Sequence, residues 1–298
     1  MASLRIGWIG TGVMGVSMAR HCLTKGFTDF SAYNRTSSKL QPLLELGAKQ
    51  MDSPRAVAEN SDVVFTMVGF PSDVRDVILH SEKGVLTGLP KGGIIVDMTT
   101  SEPSLALEIS EAAKSAGKFA LDAPVSGGDV GARNGTLSVF VGGEEDVLER
   151  VKPILETFSG TIAHMGPAGC GQHTKAGNQV TICSNMIGMC EGLMYAHAAG
   201  LDLENYLQAI SKGAAASFSL TALGPRIIKG DLNPGFYVEH FVKDLGIAVQ
   251  EAQRLKLGLP GLGLAHQLYL SLLACGDGRL GTQSLIRAIE RLNSRKIC

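Results

Sequence analysis

The chain has no surplus of charge of either sign. Against 27 Lys and Arg stand 28 Asp and Glu in 298 residues, a formal net charge of −1. A general nucleic-acid binder needs a basic excess, so that class is excluded. The six cysteines (22, 170, 183, 190, 275 and 298) include no C-x-x-C pair and none with a second histidine in a zinc pattern, so no metal site is expected. They read as free thiols of a reducing compartment, with one or two disulfides as the alternative. The start, Met-Ala-Ser-Leu-Arg-Ile-Gly, lacks the charged and apolar regions of a secretory signal, and it is not the Arg-rich, Ser-rich pattern of a transit peptide. A cytoplasmic location is expected, or an organelle where a transit peptide has been removed. Residues 257–276 are free of Asp, Glu, Lys and Arg for about 20 residues, long enough to span a bilayer. That stretch holds Pro260, Gly261, Gly263, His266 and Gln267, and it reads as a buried core helix starting near Pro260. No membrane partner is expected. The 37 glycines follow no Gly-X-Y period, which excludes collagen, and no internal repeat or low-complexity tract is present.

What remains is 45% apolar and 18% charged, an ordinary globular balance. At roughly 150 residues per domain, the length predicts about two domains. The first half alternates. Short apolar strands are predicted at 4–9, 30–33, 62–68, 94–98, 119–123, 137–141 and 161–165. Helices are predicted at 13–25, from Ser37 to Gly47, from about Ser72, at 104–116 and at 144–158. Such alternation implies a doubly wound, mostly parallel sheet. Beyond about 166 the period becomes 3.6, with segments near 170–199, 202–212, 217–229, 239–257, 261–275 and 282–293. Phe241, Leu245, Ala248, Val249 and Ala252 form one helical stripe. The expected organisation is an α/β Rossmann domain over 1–165 and an all-α domain for substrate binding and oligomerisation over 166–298.

Gly10-Thr-Gly12-Val13-Met14-Gly15 matches G-x-G-x-x-G where a strand turns into a helix, the context of a dinucleotide fingerprint. Gly10 serves the tight turn, Gly12 admits the pyrophosphate, and Gly15 lets helix and strand approach. A ligand-free Gly-rich turn is the bland alternative. At the end of the second strand, where an NAD enzyme usually carries Asp or Glu, the chain reads Asn34-Arg35-Thr36. Arg35 can fork onto a 2′-phosphate, so NADP is expected over NAD. The alternative is a solvated surface arginine.

Between His164 and Glu191 the only formally charged residue is Lys175, at the front of a long apolar helix. Burying an ammonium is costly, so this lysine is either surface-facing or functional. Asn178 and Gln179 lie three and four residues on and share its face. A lysine beside a carboxamide suits proton exchange with a substrate hydroxyl, because an ammonium taken out of water gives up its proton more readily. Asp122-Ala-Pro-Val-Ser126-Gly127-Gly128 closes a strand. It offers a hydroxyl and backbone N–H groups to a carboxylate, or else forms a purely structural turn.

In these motifs the chain resembles the β-hydroxyacid dehydrogenases, which include 3-hydroxyisobutyrate dehydrogenase, tartronate semialdehyde reductase and the glyoxylate/succinic semialdehyde reductases. The glycine loop, the run from Asp122 to Gly128, the stretch from Gly169 to Asn178, and Lys243-Asp244 in His-Phe-Val-Lys-Asp-Leu-Gly follow the family's order. The runs Asp97-Met-Thr-Thr-Ser-Glu-Pro103 and Gly258-Leu-Pro-Gly-Leu resemble the plant-type 3-hydroxyisobutyrate dehydrogenase-like branch. The resemblance implies Lys175 as general acid/base with Asn178 as its substrate-orienting partner. It implies Ser126, Gly127 and Gly128 on the substrate carboxylate, and Lys243 beside substrate and nicotinamide. Cofactor contacts would come from Thr100 and from the loop at Val68. A small carboxylate substrate and a homodimer or homotetramer are implied as well. The chain departs from the family at Val68-Gly69, where many members read Leu-Pro, and at Gly276-Asp-Gly-Arg279. Arg279 is either a second carboxylate ligand or solvated. The expected reaction is reversible hydride transfer between a nicotinamide cofactor and a small β-hydroxyacid or semialdehyde. An NADPH-dependent glyoxylate/succinic semialdehyde reductase, an imine reductase and a non-catalytic NADP-binding scaffold are the rivals.

Overall fold

The apolar strands of the first half are buried on both faces because consecutive side chains enter different cores. In a computed structural model that describes residues 4–297, Trp8, Val63, Phe65, Ile94 and Val96 face one core, while Ile9, Val64 and Ile95 face the other. Cys298 and the initial Met-Ala-Ser lie outside the described residues, as do the readings that fall on them. Trp8 anchors its core by stacking on Phe65 at 5.3 Å and meeting Phe158 edge-on at 6.1 Å, and its Nε1 donates to the Gly10 carbonyl at 3.0 Å.

The strands are β1 (Ile6–Ile9), β2 (Phe30–Tyr33), β3 (Lys49–Gln50), β4 (Val63–Thr66), β5 (Ile94–Asp97), β6 (Phe119–Asp122), β7 (Val125–Ser126), β8 (Leu137–Gly142) and β9 (Ser159–Gly166). From β3 through β2, β1, β4 and β5 to β6 the sheet is parallel, in the doubly wound Rossmann order. β8 then runs antiparallel to β6 and β7 in a single register, with Asp122 opposite Gly142 and Ser126 opposite Ser138, and β9 adds parallel to β8. β6 and β7 are thus one strand interrupted at Ala123 and Pro124.

The longer elements fall where periodicity puts them, as in the helices Val13–Thr24 and Pro103–Ser115. Pieces shorter than two turns were not foreseen: Pro54–Glu59, Val85–Gly88 and Gly128–Asn134. The helix expected from Ser37 is a 3-10 turn, Ser37–Leu40, running into Gln41–Leu44.

The chain divides into two compact units, Met1–Lys175 and Ala176–Cys298. The division falls inside the helix Cys170–Ala198, because the first turns of that helix are hydrogen-bonded to the sheet of the first unit. The second unit is helical, with Val238–Arg254 and Pro260–Ala274 packed through an edge contact of Phe241 on Tyr269 at 4.8 Å. The stretch expected as a buried helix does start at Pro260, but only one face is buried: Leu262, Ala265, Tyr269 and Leu272. Its other face carries exposed Leu264, Gln267 and Ser271. A run without charges need not be buried all round, because neutral polar and small residues tolerate water.

Candidate active site

Parallel order brings the carboxyl ends of β2, β1, β4 and β5 to one sheet edge, at the point where strand order reverses. Four predicted segments meet there: the glycine loop, Asn34-Arg35-Thr36, Val68 and Thr100. Gly10 has φ +98°, and a Cβ on it would stand 2.2 Å from the Met67 carbonyl oxygen. A Cβ on Gly15 would stand 2.2 Å from the Gly10 carbonyl oxygen. The protein's own packing therefore requires both. Around Gly12 a Cβ would meet nothing within 4 Å. Gly12 is exposed and caps the helix Val13–Thr24 without a side-chain hydrogen bond, and no acidic residue stands in the first turn. A helix N-terminus with open space at its cap fits a pyrophosphate. Val13 is exposed and Met14 half-buried at the same turn.

Asn34 is committed to the protein itself. Its Oδ1 accepts from the Thr11 N–H at 2.9 Å and its Nδ2 donates to the Thr36 carbonyl at 2.9 Å, which ties the first two loops together. Arg35 is 85% exposed and lies 3.2 Å from Asp73. Asp73 also accepts from the Phe70 N–H at the start of the helix Pro71–Leu79. The sequence shows no carboxylate beside Arg35, yet the fold supplies one from another strand–helix loop. The Val68 N–H donates to Thr99 Oγ1 at 3.0 Å, so Thr99 fixes the loop after β4. Thr100 is half-buried between buried Thr99 and Ser101.

Two aspartates close adjacent strands in register, Asp97 on β5 and Asp122 on β6. Asp97 accepts from Thr66 Oγ1 at 2.7 Å and from the Thr99 N–H at 3.1 Å. Asp122 accepts from the N–H groups of Gly169 at 2.7 Å and Gln172 at 2.8 Å, so it caps the helix Cys170–Ala198 from across the sheet. Burial pushes each carboxyl up to about 6 against these hydrogen bonds. Gln172 completes the clamp by donating Nε2 to the Thr99 carbonyl at 2.7 Å and accepting from the Ser101 N–H at 2.9 Å. Lys175 follows one turn later and is 7% exposed. The clamp therefore fixes the turn leading to Lys175 to the loop that holds Thr100.

Ser126 is half-buried at the end of β7. Gly127 and Gly128 both have positive φ, +132° and +62°, which only glycine adopts without strain, and they open the helix Gly128–Asn134. In the second unit, half-buried Asn178 donates Nδ2 to Gln179 Oε1 at 3.0 Å. There too, Lys243 Nζ lies 2.9 Å from Asp244 Oδ1. Arg279 is a surface residue, 2.6 Å from Glu239 and stacked 4.4 Å over Tyr237.

Asp73, Asp97, Asp122, Gln172 and Asp244 were not assigned roles from sequence. A sign was present for two of them, since Ile94-Ile-Val-Asp97 and Phe119-Ala-Leu-Asp122 each end an apolar strand on a lone carboxylate. The others act through contacts distant in sequence. Among the described residues no group of three or more His, Cys, Asp and Glu is arranged to hold a metal, and no helix is long and apolar enough to cross a membrane. The five described cysteines are free thiols.

A doubly wound sheet with an open glycine loop at its switch point defines a dinucleotide-binding fold. The family described as the NAD binding domain of 6-phosphogluconate dehydrogenase matches residues 5–166, and that described as the NAD-binding of NADP-dependent 3-hydroxyisobutyrate dehydrogenase matches residues 169–289. The Arabidopsis thaliana probable 3-hydroxyisobutyrate dehydrogenase-like 1, mitochondrial, is 57% identical over 98% of this chain and 87% of its own. The 2-hydroxy-3-oxopropionate reductase of Escherichia coli K12 is 37% identical over 99% of this chain and 100% of its own. The structure of Mycobacterium tuberculosis 3-hydroxyisobutyrate dehydrogenase with L-serine superposes with a TM-score of 0.87 at 26% identity, over 96% of this chain and 99% of its own. The chain belongs to the β-hydroxyacid dehydrogenase family, as an oxidoreductase of the 3-hydroxyisobutyrate dehydrogenase-like type.

Proposed function

We propose that the protein interconverts a small β-hydroxyacid and its semialdehyde, with NADP(H) preferred and Lys175 as the proton-transfer group. The observation that carries this is a lysine only 7% exposed, one turn beyond a helix start clamped to the cofactor-edge loop by Asp122 and Gln172. The space over Gly12 and the uncapped helix behind it fit the pyrophosphate, and Arg35 fits a 2′-phosphate. A nicotinamide dinucleotide bound there supplies the hydride acceptor or donor.

In this reading the first unit carries the cofactor, and the second serves substrate binding and oligomerisation. The Lys175 ammonium donates its proton to the carbinol oxygen during reduction, and the neutral amine takes it back during oxidation. Asn178, three residues on along the same helix, orients the hydroxyl. Ser126 and the N–H groups of Gly127 and Gly128 hold the carboxylate, so positioning supplies part of the rate. Lys243 is assigned near the nicotinamide on the family resemblance. The E. coli and M. tuberculosis relatives are named for, or captured with, short hydroxy- or oxo-acids, which supports this substrate class. The cysteine spacing, without a C-x-x-C pair, supports a reducing compartment, cytoplasmic or organellar.

The test follows NADPH oxidation with glyoxylate, succinic semialdehyde, tartronate semialdehyde and methylmalonate semialdehyde, with NADH and Lys175→Ala as controls. One substrate should turn over well. Lys175→Ala should lose about a thousandfold or more in kcat, within the range of a lost general acid/base, while still binding NADPH. Near-wild-type turnover in that variant would refute the assignment. NADPH binding without turnover of any substrate would favour a non-catalytic scaffold.

A further inference from the structure

We infer that Asp244 and Gln179 are positioning residues that set which end of the Asn178 amide serves as acceptor. The inference rests on the proposed role of Asn178 beside Lys175. Three side chains of the second unit form a line. Gln179, 1% exposed, donates Nε2 to Oδ2 of Asp244, 2% exposed, at 2.6 Å. Asn178 donates Nδ2 to Gln179 Oε1 at 3.0 Å. Lys243 Nζ stands 2.9 Å from the other Asp244 oxygen, off-line for a hydrogen bond but close enough for charge attraction. Both Asp244 oxygens thus face a donor or a cation.

A carboxamide has a donor end and an acceptor end of nearly the same shape, so shape alone does not orient it. A carboxylate only accepts. Asp244 therefore compels Gln179 to present its NH2. Turned over, Gln179 would set its oxygen against a carboxylate oxygen at 2.6 Å in a buried setting, where repulsion is least screened. With the NH2 committed to Asp244, the Gln179 oxygen must face Asn178. Asn178 must then spend its NH2 on Gln179, and its Oδ1 becomes the acceptor end turned elsewhere. An acceptor at that position orients a substrate O–H, or the ammonium one helical turn away, whereas a donor would compete with Lys175 for the carbinol oxygen. Charge on the helix Val238–Arg254 thereby fixes the polarity of an uncharged side chain on the helix Cys170–Ala198. It also links Lys243 and Asn178, two residues the motifs singled out separately.

The experiment compares Asp244→Asn with the exchange Asp244→Asn/Gln179→Glu. In the single variant, position 244 can donate, so Gln179 and then Asn178 can turn over. In the exchange, the carboxylate moved to position 179 accepts both from the amide now at position 244 and from Asn178, which restores the wild-type orientation of Asn178. Steady-state kinetics with the best substrate, NADPH binding by fluorescence and thermal melts are read together. The single variant should lose about tenfold or more in kcat with NADPH affinity changed by less than about twofold, and the exchange should regain most of that loss. A general loosening of the fold would not be repaired by moving the charge. Wild-type kcat in Asp244→Asn, or an exchange variant no better than the single, overturns the proposal. If the single variant is not recovered folded, the exchange decides: near-wild-type kcat supports the relay, and lost kcat with NADPH still bound overturns it. Lys175→Ala separates the two levels. An inactive Lys175→Ala with an unaffected Asp244→Asn removes only the relay, and an active Lys175→Ala removes the reading on which it rests.

Discussion

Arg35 meets a competitor before it meets any cofactor. Its guanidinium is 3.2 Å from Asp73, and a 2′-phosphate would have to draw it from that carboxylate or sit beside it. Exposed pairs of this kind are worth about 0–1 kcal/mol, so the effect on affinity is modest but readable. Asp73→Asn should tighten NADPH by up to about fivefold while leaving NADH nearly unchanged, because Asn keeps an acceptor for the Phe70 N–H. Arg35→Ala should weaken NADPH and narrow its margin over NADH. Fluorescence titration of both cofactors checks this, and an unchanged NADPH/NADH ratio in Arg35→Ala would remove Arg35 from cofactor choice. Asp97 allows a second test at this scale. Its carboxyl is raised from 3.8 to about 6 by burial, so between pH about 4 and 6 the folded state holds a proton that the unfolded state has released. Stability from this group therefore falls as pH rises through that window, by up to about 3 kcal/mol in all, and is level above it. Asp97→Asn keeps the acceptor for Thr66 and Thr99 and removes the titration. It should gain Tm over wild type at pH 7.5 and lose that gain near pH 4. Parallel curves would show that Asp97 does not titrate in this range. The partners of these aspartates were not readable from sequence, because Asp73 reaches Arg35, and Asp97 reaches Thr66, only through the parallel packing of strands.

The helix Cys170–Ala198 is docked more tightly than its sequence suggests. A Cβ on Gly171 would stand 2.4 Å from the Asp122 carbonyl oxygen and 2.5 Å from that of Phe140, both sheet backbone that cannot move aside. A Cβ on Gly142 would stand 2.5 Å from Asp122 Oδ1. These glycines let the helix N-terminus reach the carboxylate that caps it. Gly171→Ala should therefore cost on the order of 1–3 kcal/mol by urea denaturation, as overpacking does, and lower kcat more than it weakens NADPH. An Ala variant of wild-type stability and kcat would show that the helix start tolerates displacement. The legibility of elements followed their length. Helices with several turns and strands with continuous apolar runs announced themselves, as did the glycine fingerprint, whereas the sequence left Lys175 open between surface and interior and the structure buries it. The one-turn helices and the clamp of Asp122 and Gln172 did not announce themselves. The short helices span too few residues to show a period, and the clamp depends on contacts between residues about 50 or more apart in sequence, Asp122 to Gln172 and Gln172 to Ser101 and Thr99, which no local period records.

At the scale of the whole molecule, two helices of the second unit expose faces with few charges. Along Cys170–Ala198 the exposed positions include Gly177, Thr181, Ser184 and Gly188, and on Pro260–Ala274 they include Gly261, Leu264 and Gln267. The two faces adjoin, since a Cβ on Gly261 would come within 3.4 Å of Ser184 Oγ. Leu264 is 53% exposed there, and Tyr195 is 75% exposed further along the longer helix. Small residues admit close approach of another backbone, and a charge-free face loses little on leaving water. A second copy of the chain has such a face to offer in return, as an isologous dimer requires. Light scattering during size-exclusion chromatography should give a mass of at least twice 31.3 kDa. Leu264→Glu would put two carboxylates near a two-fold contact and should shift the mass toward the monomer, whereas Leu4→Glu, on the first unit, should leave it unchanged. A monomeric wild type would leave the uncharged faces unexplained. A dimer insensitive to Leu264→Glu would move the contact to other exposed apolar residues, of which Phe218 and Leu292 at 71% and 72% are the next to substitute.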